Sequence, residues 1–124
     1  MEIIIRNTTS QPIYDQIASQ LRAQIIAGKL RPGEALPSIR ALARDLKISV
    51  ITTKRAYDEL EAAGFLYTVA GKGCFVAERN FDGVREQQAR EMEGHLIAAI
   101  GLAKDSGMTY DDFRETTRIL WEEG

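Results

Sequence analysis

Small polar and basic side chains of the kind that contact nucleic acids are concentrated between residues 38 and 73. The candidates for such contacts are, in chain order, Ser38, Arg40, Ser49, Thr52, Lys54, Arg55 and Lys72. Arg and Lys neutralise phosphates, and hydroxyl groups hydrogen-bond to phosphate oxygens or to base edges. The chemistry they favour is binding rather than catalysis. An enzyme has little support, because the chain has one Cys and one His and lacks both GxxxxGK[ST] and GxGxxG.

A short helix, predicted from about residue 39 to residue 46, positions the first two of these side chains. Ser38 is a suitable N-cap for it. Its inner face consists of Ile39, Leu42, Ala43 and Leu46. Arg40 lies outside that face, in the first turn of the helix. If this helix is the first of a helix-turn-helix, it crosses the DNA backbone. We therefore expect Arg40 to contact phosphate, and an ordinary solvated charge is the alternative.

The next predicted helix begins after Ser49 as N-cap and runs to about residue 63, with one buried and one exposed side. The buried side comprises Thr53, Ala56, Tyr57, Leu60 and Ala63, and the exposed side comprises Val50, Ile51, Lys54, Arg55 and Asp58. Apolar side chains at the start of a recognition helix can contact thymine methyl groups. Val50 and Ile51 are therefore candidates for base contact, although isolated exposed apolar residues are common. Arg55 has a second option, an ion pair with Glu59 one turn later.

Gly64 is expected to end this helix, and two strand-like runs follow at residues 65–69 and 74–77. Between them, Gly71 and Gly73 allow the turn to approach another backbone closely, and Lys72 places a charge at its tip. A Gly-Lys-Gly tip also suits a plain hairpin. The order of helix, turn, helix and hairpin nevertheless predicts a mainly α fold with a small β wing, namely a winged helix-turn-helix.

The residues before this region are predicted to support it. Residues 2–6 suggest a short strand, and residues 12–27 a helix with Pro12 at its first position. Its apolar face consists of Ile13, Ile17, Ala18, Leu21 and Ile25. The loop at residues 29–37 contains two prolines and is expected to be tight, with Leu30 and Leu36 packed on the core.

Residues 81–124 are predicted to form a second part after a DNA-binding domain at residues 1–80. Helical spacing covers residues 82–103 and 110–122. The expected interface positions are Val84, Met92, Leu96, Ile100, Phe113, Leu120 and Trp121. Two helices of this length cannot enclose a core of their own. We expect them to join two copies of the chain, with a domain-swapped tail or packing on the first part as alternatives.

Charge is divided unevenly between the two parts. Residues 1–80 carry 11 Lys/Arg and 8 Asp/Glu, whereas residues 81–124 carry 5 and 10. The first balance suits a polyanionic partner and the second does not. His95 is the only histidine and no ligand cluster has metal spacing, so neither a metal nor another cofactor is expected.

Cys74 is the only cysteine, which excludes an internal disulfide and favours a reducing, cytoplasmic location. We expect Cys74 to be a small strand residue rather than a redox sensor, because only Lys72 lies near it in the sequence. No apolar run approaches the ~18 residues that a membrane helix needs.

An ordered series of Gly, Pro, Leu and Arg positions across residues 10–78 resembles that of GntR-type transcriptional regulators. It reads Gly28-x-Leu30-x-Pro32-Gly33-x-x-Leu36-Pro37-Ser38-x-Arg40-x-Leu42-Ala43, then Ile48-Ser49, Arg55-Ala56-Tyr57-x-Glu59-Leu60-Glu61-x-x-Gly64 and Gly71-Lys72-Gly73-x-Phe75-Val76. The Arg-Ala-Tyr-x-Glu-Leu-Glu run and the short tail resemble the YtrA-type subgroup in particular.

The resemblance implies a homodimer that binds operator DNA, usually as a repressor. It implies DNA contacts at Arg40, Ser49, Thr52, Lys54 and Arg55, and at a wing formed by Gly71, Lys72 and Gly73. The chain departs from many relatives in having Val50 early in the recognition helix, Val69-Ala70 before the wing glycines, and Cys74 after them. A winged-helix module that binds protein instead of DNA is the competing function, and a small-molecule effector of unknown identity is an open possibility.

Overall fold

Five helices and one antiparallel hairpin make up the structure, a computed structural model that describes residues 1–124. They are α1 (Ile13–Ile26), α2 (Ile39–Leu46), α3 (Val50–Ala62), β1 (Leu66–Val69), β2 (Gly73–Val76), α4 (Asp82–Asp105) and α5 (Tyr110–Glu123). Contacts divide the chain into two compact units, Met1–Phe81 and Asp82–Gly124. The predicted class, mainly α with a small β wing and a helical tail, is confirmed.

The first unit is held together by the apolar faces of α1 and α3. Ile17, Leu21 and Leu60 are buried almost completely, as their helical spacing predicts. α1 begins one residue later than predicted, with Pro12 preceding the helix at its N-cap. Phe81 is the last residue of this unit and packs on it. Its buried ring stacks on the Phe65 ring with 5.2 Å between the ring centroids.

The turn between α2 and α3 takes three residues and is fixed at both ends. The Ser38 hydroxyl accepts a hydrogen bond from the Ala41 amide at 3.0 Å and so caps α2. Lys47 ends α2 in the left-handed region with φ of 58°, and the Ile48 amide then donates to the Ala43 carbonyl at 3.0 Å. This ending satisfies the last carbonyls of α2 and turns the chain toward α3.

The loop between α1 and α2 adds a third segment to the hairpin, which the sequence did not predict. The Gly33 amide donates to the Val76 carbonyl at 2.8 Å, and the Leu36 amide donates to the Cys74 carbonyl at 2.9 Å. In the opposite direction, the Val76 amide donates to the Glu34 carbonyl at 2.9 Å. The loop is therefore as ordered as predicted, and Leu30 and Leu36 are buried as expected.

The predicted strand at residues 2–6 is wrong, because no strand lies beside this segment. Glutamine side chains of α1 take the partner's place: Gln20 bonds both the amide and the carbonyl of Ile4, at 2.8 and 2.7 Å. A pattern of apolar residues cannot reveal that a helix supplies the hydrogen bonds. We refer to residues 2–6 below as the arm.

The second unit is a pair of helices without a core. α4 runs two residues beyond the predicted end, and Gly107 follows it with φ of 77°. Thr109 and Asp112 form a reciprocal capping box at the start of α5. Neither helix has a single buried residue. Neither these helices nor those of the first unit are long and apolar enough to cross a membrane.

Candidate nucleic-acid interface

The first turn of α3 is fixed by its own hydroxyl groups. The Ser49 hydroxyl accepts from the Thr52 amide at 3.1 Å and donates to the Thr52 hydroxyl at 2.7 Å. One turn further in, the buried Thr53 hydroxyl donates to the Ser49 carbonyl at 3.1 Å. These bonds hold the start of α3 in one conformation, so the side chains beside it project from a rigid base.

Two apolar side chains project from this turn into solvent. Val50 is 47% exposed and Ile51 is 82% exposed. Both belong to the exposed side that the sequence predicted for this helix. The opposite side, including Ala56 and Tyr57, is buried, and only Ala63 departs from the prediction by being exposed.

The two cations of α3 differ in their surroundings. The Lys54 ammonium lies 2.6 Å from the Asp58 carboxylate, with both side chains largely exposed. Exposed ion pairs of this kind contribute about 0–1 kcal/mol, so a phosphate can readily replace the carboxylate. The Arg55 guanidinium instead lies over the Tyr14 ring, 3.7 Å from its centroid, and 3.9 Å from the Glu59 carboxylate. Arg55 therefore joins α3 to α1, and the ion pair considered from the sequence is present.

The N-terminus of α2 presents the third candidate cation. Arg40 is exposed in the first turn of α2, next to the capping residue Ser38. No carboxylate of the chain lies within ion-pair distance of it. Arg40 therefore has its full hydrogen-bonding capacity available for a phosphate.

The wing is a two-stranded hairpin with an exposed tip at residues 70–73. Leu66 pairs with Val76 at its base, and Val69 pairs with Gly73 at its outer end. Gly71 and Gly73 both have positive φ, 76° and 114°, which explains why the tip contains glycines. Lys72 stands between them in solvent with no carboxylate of the chain in ion-pair distance.

Cys74 follows the tip and is half-buried. Burial raises the pKa of its thiol above the usual value, the Thr68 hydroxyl opposes that effect, and the nearby Glu61 carboxylate adds to it. A thiol with a raised pKa is a poor nucleophile at neutral pH, which favours the structural role over a redox sensor.

A buried hydrogen bond joins α3 to the residue before α2, and no local sequence pattern predicts it. The Tyr57 hydroxyl donates to the Pro37 carbonyl at 2.8 Å. Burial raises the pKa of Tyr57 well above its usual value, so the hydroxyl keeps its proton and remains a donor. The available clue was that a buried tyrosine needs a partner for its hydroxyl group.

The predicted positions therefore fall on three surfaces of the first unit and one of the second. The start of α2 carries Ser38 and Arg40, the start of α3 carries Ser49, Val50, Ile51, Thr52, Lys54 and Arg55, and the wing tip carries Gly71, Lys72 and Gly73. The predicted dimerisation positions all lie on α4 and α5, and Trp121 is 84% exposed. Their roles in binding remain predictions.

Comparison with known proteins places this architecture in a family. The family model described as bacterial regulatory proteins, gntR family, matches residues 13–76. The chain is 39% identical over 70 residues to the HTH-type transcriptional repressor YtrA of Bacillus subtilis, which covers 56% of this chain and 54% of that protein.

Two solved structures extend the likeness. A structure of YtrA from Sulfolobus acidocaldarius, described as a GntR-family transcription factor, is 36% identical and covers 97% of both chains with a TM-score of 0.56. The DNA-binding domain of AraR in complex with operator ORX1 is 30% identical, covers 62% of this chain and 96% of that one, and has a TM-score of 0.55. The chain therefore belongs to the gntR family of bacterial regulatory proteins, as a YtrA-like DNA-binding transcriptional regulator.

Proposed function

We propose that the chain is a transcriptional repressor that binds a palindromic operator as a homodimer. The first turn of α3 reads bases in the major groove, and the wing tip at residues 70–73 contacts the backbone or the minor groove. The observation that carries this proposal is the rigid start of α3, where Val50, Ile51 and Lys54 project outward together. Operator binding requires the compartment that holds the chromosome, so the proposal includes a cytoplasmic location.

The distribution of charge along α3 supports this orientation. Its first half carries hydroxyl groups, the two exposed apolar side chains and the cations Lys54 and Arg55. Its second half carries the carboxylates of Asp58, Glu59 and Glu61, which phosphates repel. The first half is therefore the part that enters the groove, as in other helix-turn-helix proteins.

Each candidate group has a separate task in this arrangement. Arg40 and Lys72 contact phosphates and fix the register of the protein on the duplex, without reading sequence. Val50 and Ile51 favour thymine, because its methyl group offers an apolar contact in the major groove. Arg55 contributes mainly by holding α3 on α1 through Tyr14, and any phosphate contact it makes requires it to leave that ring.

Homodimerisation is supported by the second unit. A groove of about 460 Å³ runs along α4 and α5 and is lined by Leu96, Ile100, Tyr110, Phe113, Arg114, Thr117, Arg118 and Trp121. So much exposed apolar surface on a two-helix unit supports an interface at this groove. A second copy supplies the same surface in return, and the resulting two-fold symmetry matches that of a palindromic operator. A small-molecule effector in this groove is a second use of the same surface.

Repression is supported by the likeness to the B. subtilis repressor YtrA. A dimer bound at a promoter excludes polymerase by occupancy, which needs no further activity from the protein. The competing function is a winged helix that binds protein only. It does not explain why the first half of α3 exposes cations together with apolar side chains, whereas the carboxylates of α3 lie in its second half.

Charge reversal tests the proposed site. The variant Lys54→Glu with Lys72→Glu should lose operator binding, because two attractive contacts to phosphate become repulsive. The matched control, Lys29→Glu with Lys104→Glu, changes net charge equally but lies in neither the helix-turn-helix nor the wing. Gel shifts with the chain's own upstream DNA should show binding by the control alone. Retained operator affinity in a folded Lys54/Lys72 variant would overturn the site assignment.

A further inference from the structure

The arm, residues 2–6, lies along α1 in extended conformation and is held there by a row of three glutamines. Gln24 donates to the Glu2 carbonyl at 2.6 Å, and Gln20 bonds both backbone groups of Ile4. Gln16 does the same for Arg6: its side-chain oxygen accepts from the amide at 2.8 Å, and its nitrogen donates to the carbonyl at 2.9 Å. The arm and α1 therefore run in opposite directions.

The spacing explains why a helix can serve as the neighbouring strand. Glutamines four residues apart on one face of a helix are separated by about 6 Å along the helix axis. Residues i and i+2 of a strand are separated by about 6.6–6.8 Å, so alternate residues of the arm nearly match the spacing of the glutamines. Residues 2, 4 and 6 consequently direct their backbone groups toward α1, and residues 3 and 5 direct theirs away from it.

The outer edge of the arm is an open strand edge. The amides and carbonyls of Ile3 and Ile5 have no hydrogen-bond partner in the chain. The side chains of these two residues are half-buried, whereas Glu2, Ile4 and Arg6 project into solvent, with Ile4 56% exposed. Natural proteins often block such an edge with Pro, a bulge or charged side chains, Lys above all. The arm has neither Pro nor Lys, and its charged residues, Glu2 and Arg6, lie only at its two ends.

The arm is complementary to itself when two copies run antiparallel about Ile4. In that register Ile3 lies opposite Ile5 of the other copy, and these are the positions whose backbone groups are open. The two Ile4 residues face each other at the centre. Glu2 lies opposite Arg6 at both ends, where opposite charges stabilise cross-strand pairs. Moving the register by two residues in either direction leaves Glu2 and Arg6 opposite isoleucine or outside the paired segment.

We propose that the arms of two copies of this chain pair antiparallel about Ile4 and form a two-stranded ribbon between their first units. The occupant is a second copy of this chain, because an antiparallel second copy places Glu2 opposite Arg6 at both ends and makes the segment complementary in charge to itself. Five residues on each side form too small a ribbon to hold two free chains together. In this respect the inference rests on the homodimer proposed above, which raises the local concentration of the second arm.

Disulfide trapping at the centre of the ribbon tests this pairing. The variant Ile4→Cys, in full-length protein with Cys74→Ala, places two thiols at a pair whose Cα atoms are about 4.5 Å apart, within disulfide range. The control Glu2→Cys is also exposed, but in this register the two copies of position 2 lie four residues apart along the ribbon, about 13 Å. On mild oxidation at micromolar protein, Ile4→Cys should form covalent dimers about tenfold faster or more, because the paired thiols have a high effective concentration.

A second pair of variants checks the register. Glu2→Cys with Arg6→Cys should restore rapid cross-linking, because these positions face each other at both ends. In the Ile4→Cys background, Glu2→Arg or Arg6→Glu alone should slow the reaction, and the two together should restore it. Light scattering on the reduced proteins shows whether the chain is dimeric. A dimeric chain in which Ile4→Cys reacts no faster than Glu2→Cys would overturn the arm pairing alone, whereas a monomeric chain would overturn the proposed homodimer.

Discussion

The two units of this chain differ in whether their large apolar side chains are buried or exposed. The first, Met1–Phe81, buries its large apolar residues and exposes very few, two of them at the start of α3. The second, Asp82–Gly124, exposes Met92, Leu102, Leu120 and Trp121 and buries nothing. Because burial supplies most of the stability of a fold, the first unit is expected to be stable by itself and the second only when it is covered.

The difference also separates two kinds of exposed apolar residue. In the first unit, Val50 and Ile51 stand at a rigid helix start among cations, where base contact explains their exposure. In the second, exposed apolar side chains are common along both helices, and a large partner surface accounts for those that line the groove between α4 and α5. The same property therefore indicates base recognition in one unit and self-association in the other.

Truncation of a core residue should have the largest effect. Leu21 is fully buried in α1, so Leu21→Ala should lower the free energy of unfolding by about 2–5 kcal/mol through lost burial and the resulting cavity. Ile51→Ala removes an exposed side chain of the same unit and should leave stability unchanged within about 0.5 kcal/mol. Urea unfolding of both variants measures this, and similar losses for the two would contradict the assigned core.

Truncation of Trp121 should affect assembly rather than the fold of the first unit. A buried interface tryptophan typically contributes about 2 kcal/mol or more, so Trp121→Ala should weaken the dimer about thirtyfold. Leu102→Ala is the matched control, because Leu102 lies about 200° around α4 from Ile100 and outside the predicted stripe. Light scattering over a dilution series compares them. Equal weakening by both variants would mean that the interface is not confined to the groove that Trp121 lines.

The smallest effect should come from one phosphate contact. Lys72→Ala should weaken binding to all DNA sequences alike and reduce the salt slope of log K by about 1. Ile51→Ala should instead reduce discrimination between operators with and without thymine at the contacted position, and it should leave the salt slope unchanged. Fluorescence titrations at several salt concentrations separate the two cases. A changed base preference in Lys72→Ala would mean that the wing reads sequence.

Features set by neighbouring residues were predictable from the sequence. α2 was predicted with its observed bounds, because Ser38 marks its start and the apolar spacing marks its face. The buried and exposed sides of α3 followed from the same periodicity. The pinning of the first loop by Leu30 and Leu36 also followed, since apolar residues in a loop need a place to pack.

Features set by contacts between distant residues were not predictable. The glutamine row of α1 resembles an ordinary polar helix face, and only the position of the arm gives it a function. The addition of residues 33–36 to the hairpin and the stacking of Arg55 on Tyr14 have the same cause. Each depends on which segments the fold brings together, and local spacing contains no information about that.

Sequence-specific DNA binding by this chain is tested by gel shifts with its own upstream DNA against random competitor, over a range of salt concentrations. Specific binders typically prefer their site by about 10³-fold or more over random DNA. We expect the shifted complex to persist in excess random DNA at physiological salt, and the half-sites to be related by two-fold symmetry. Equal competition by random DNA at every salt concentration would contradict sequence-specific regulation by this protein.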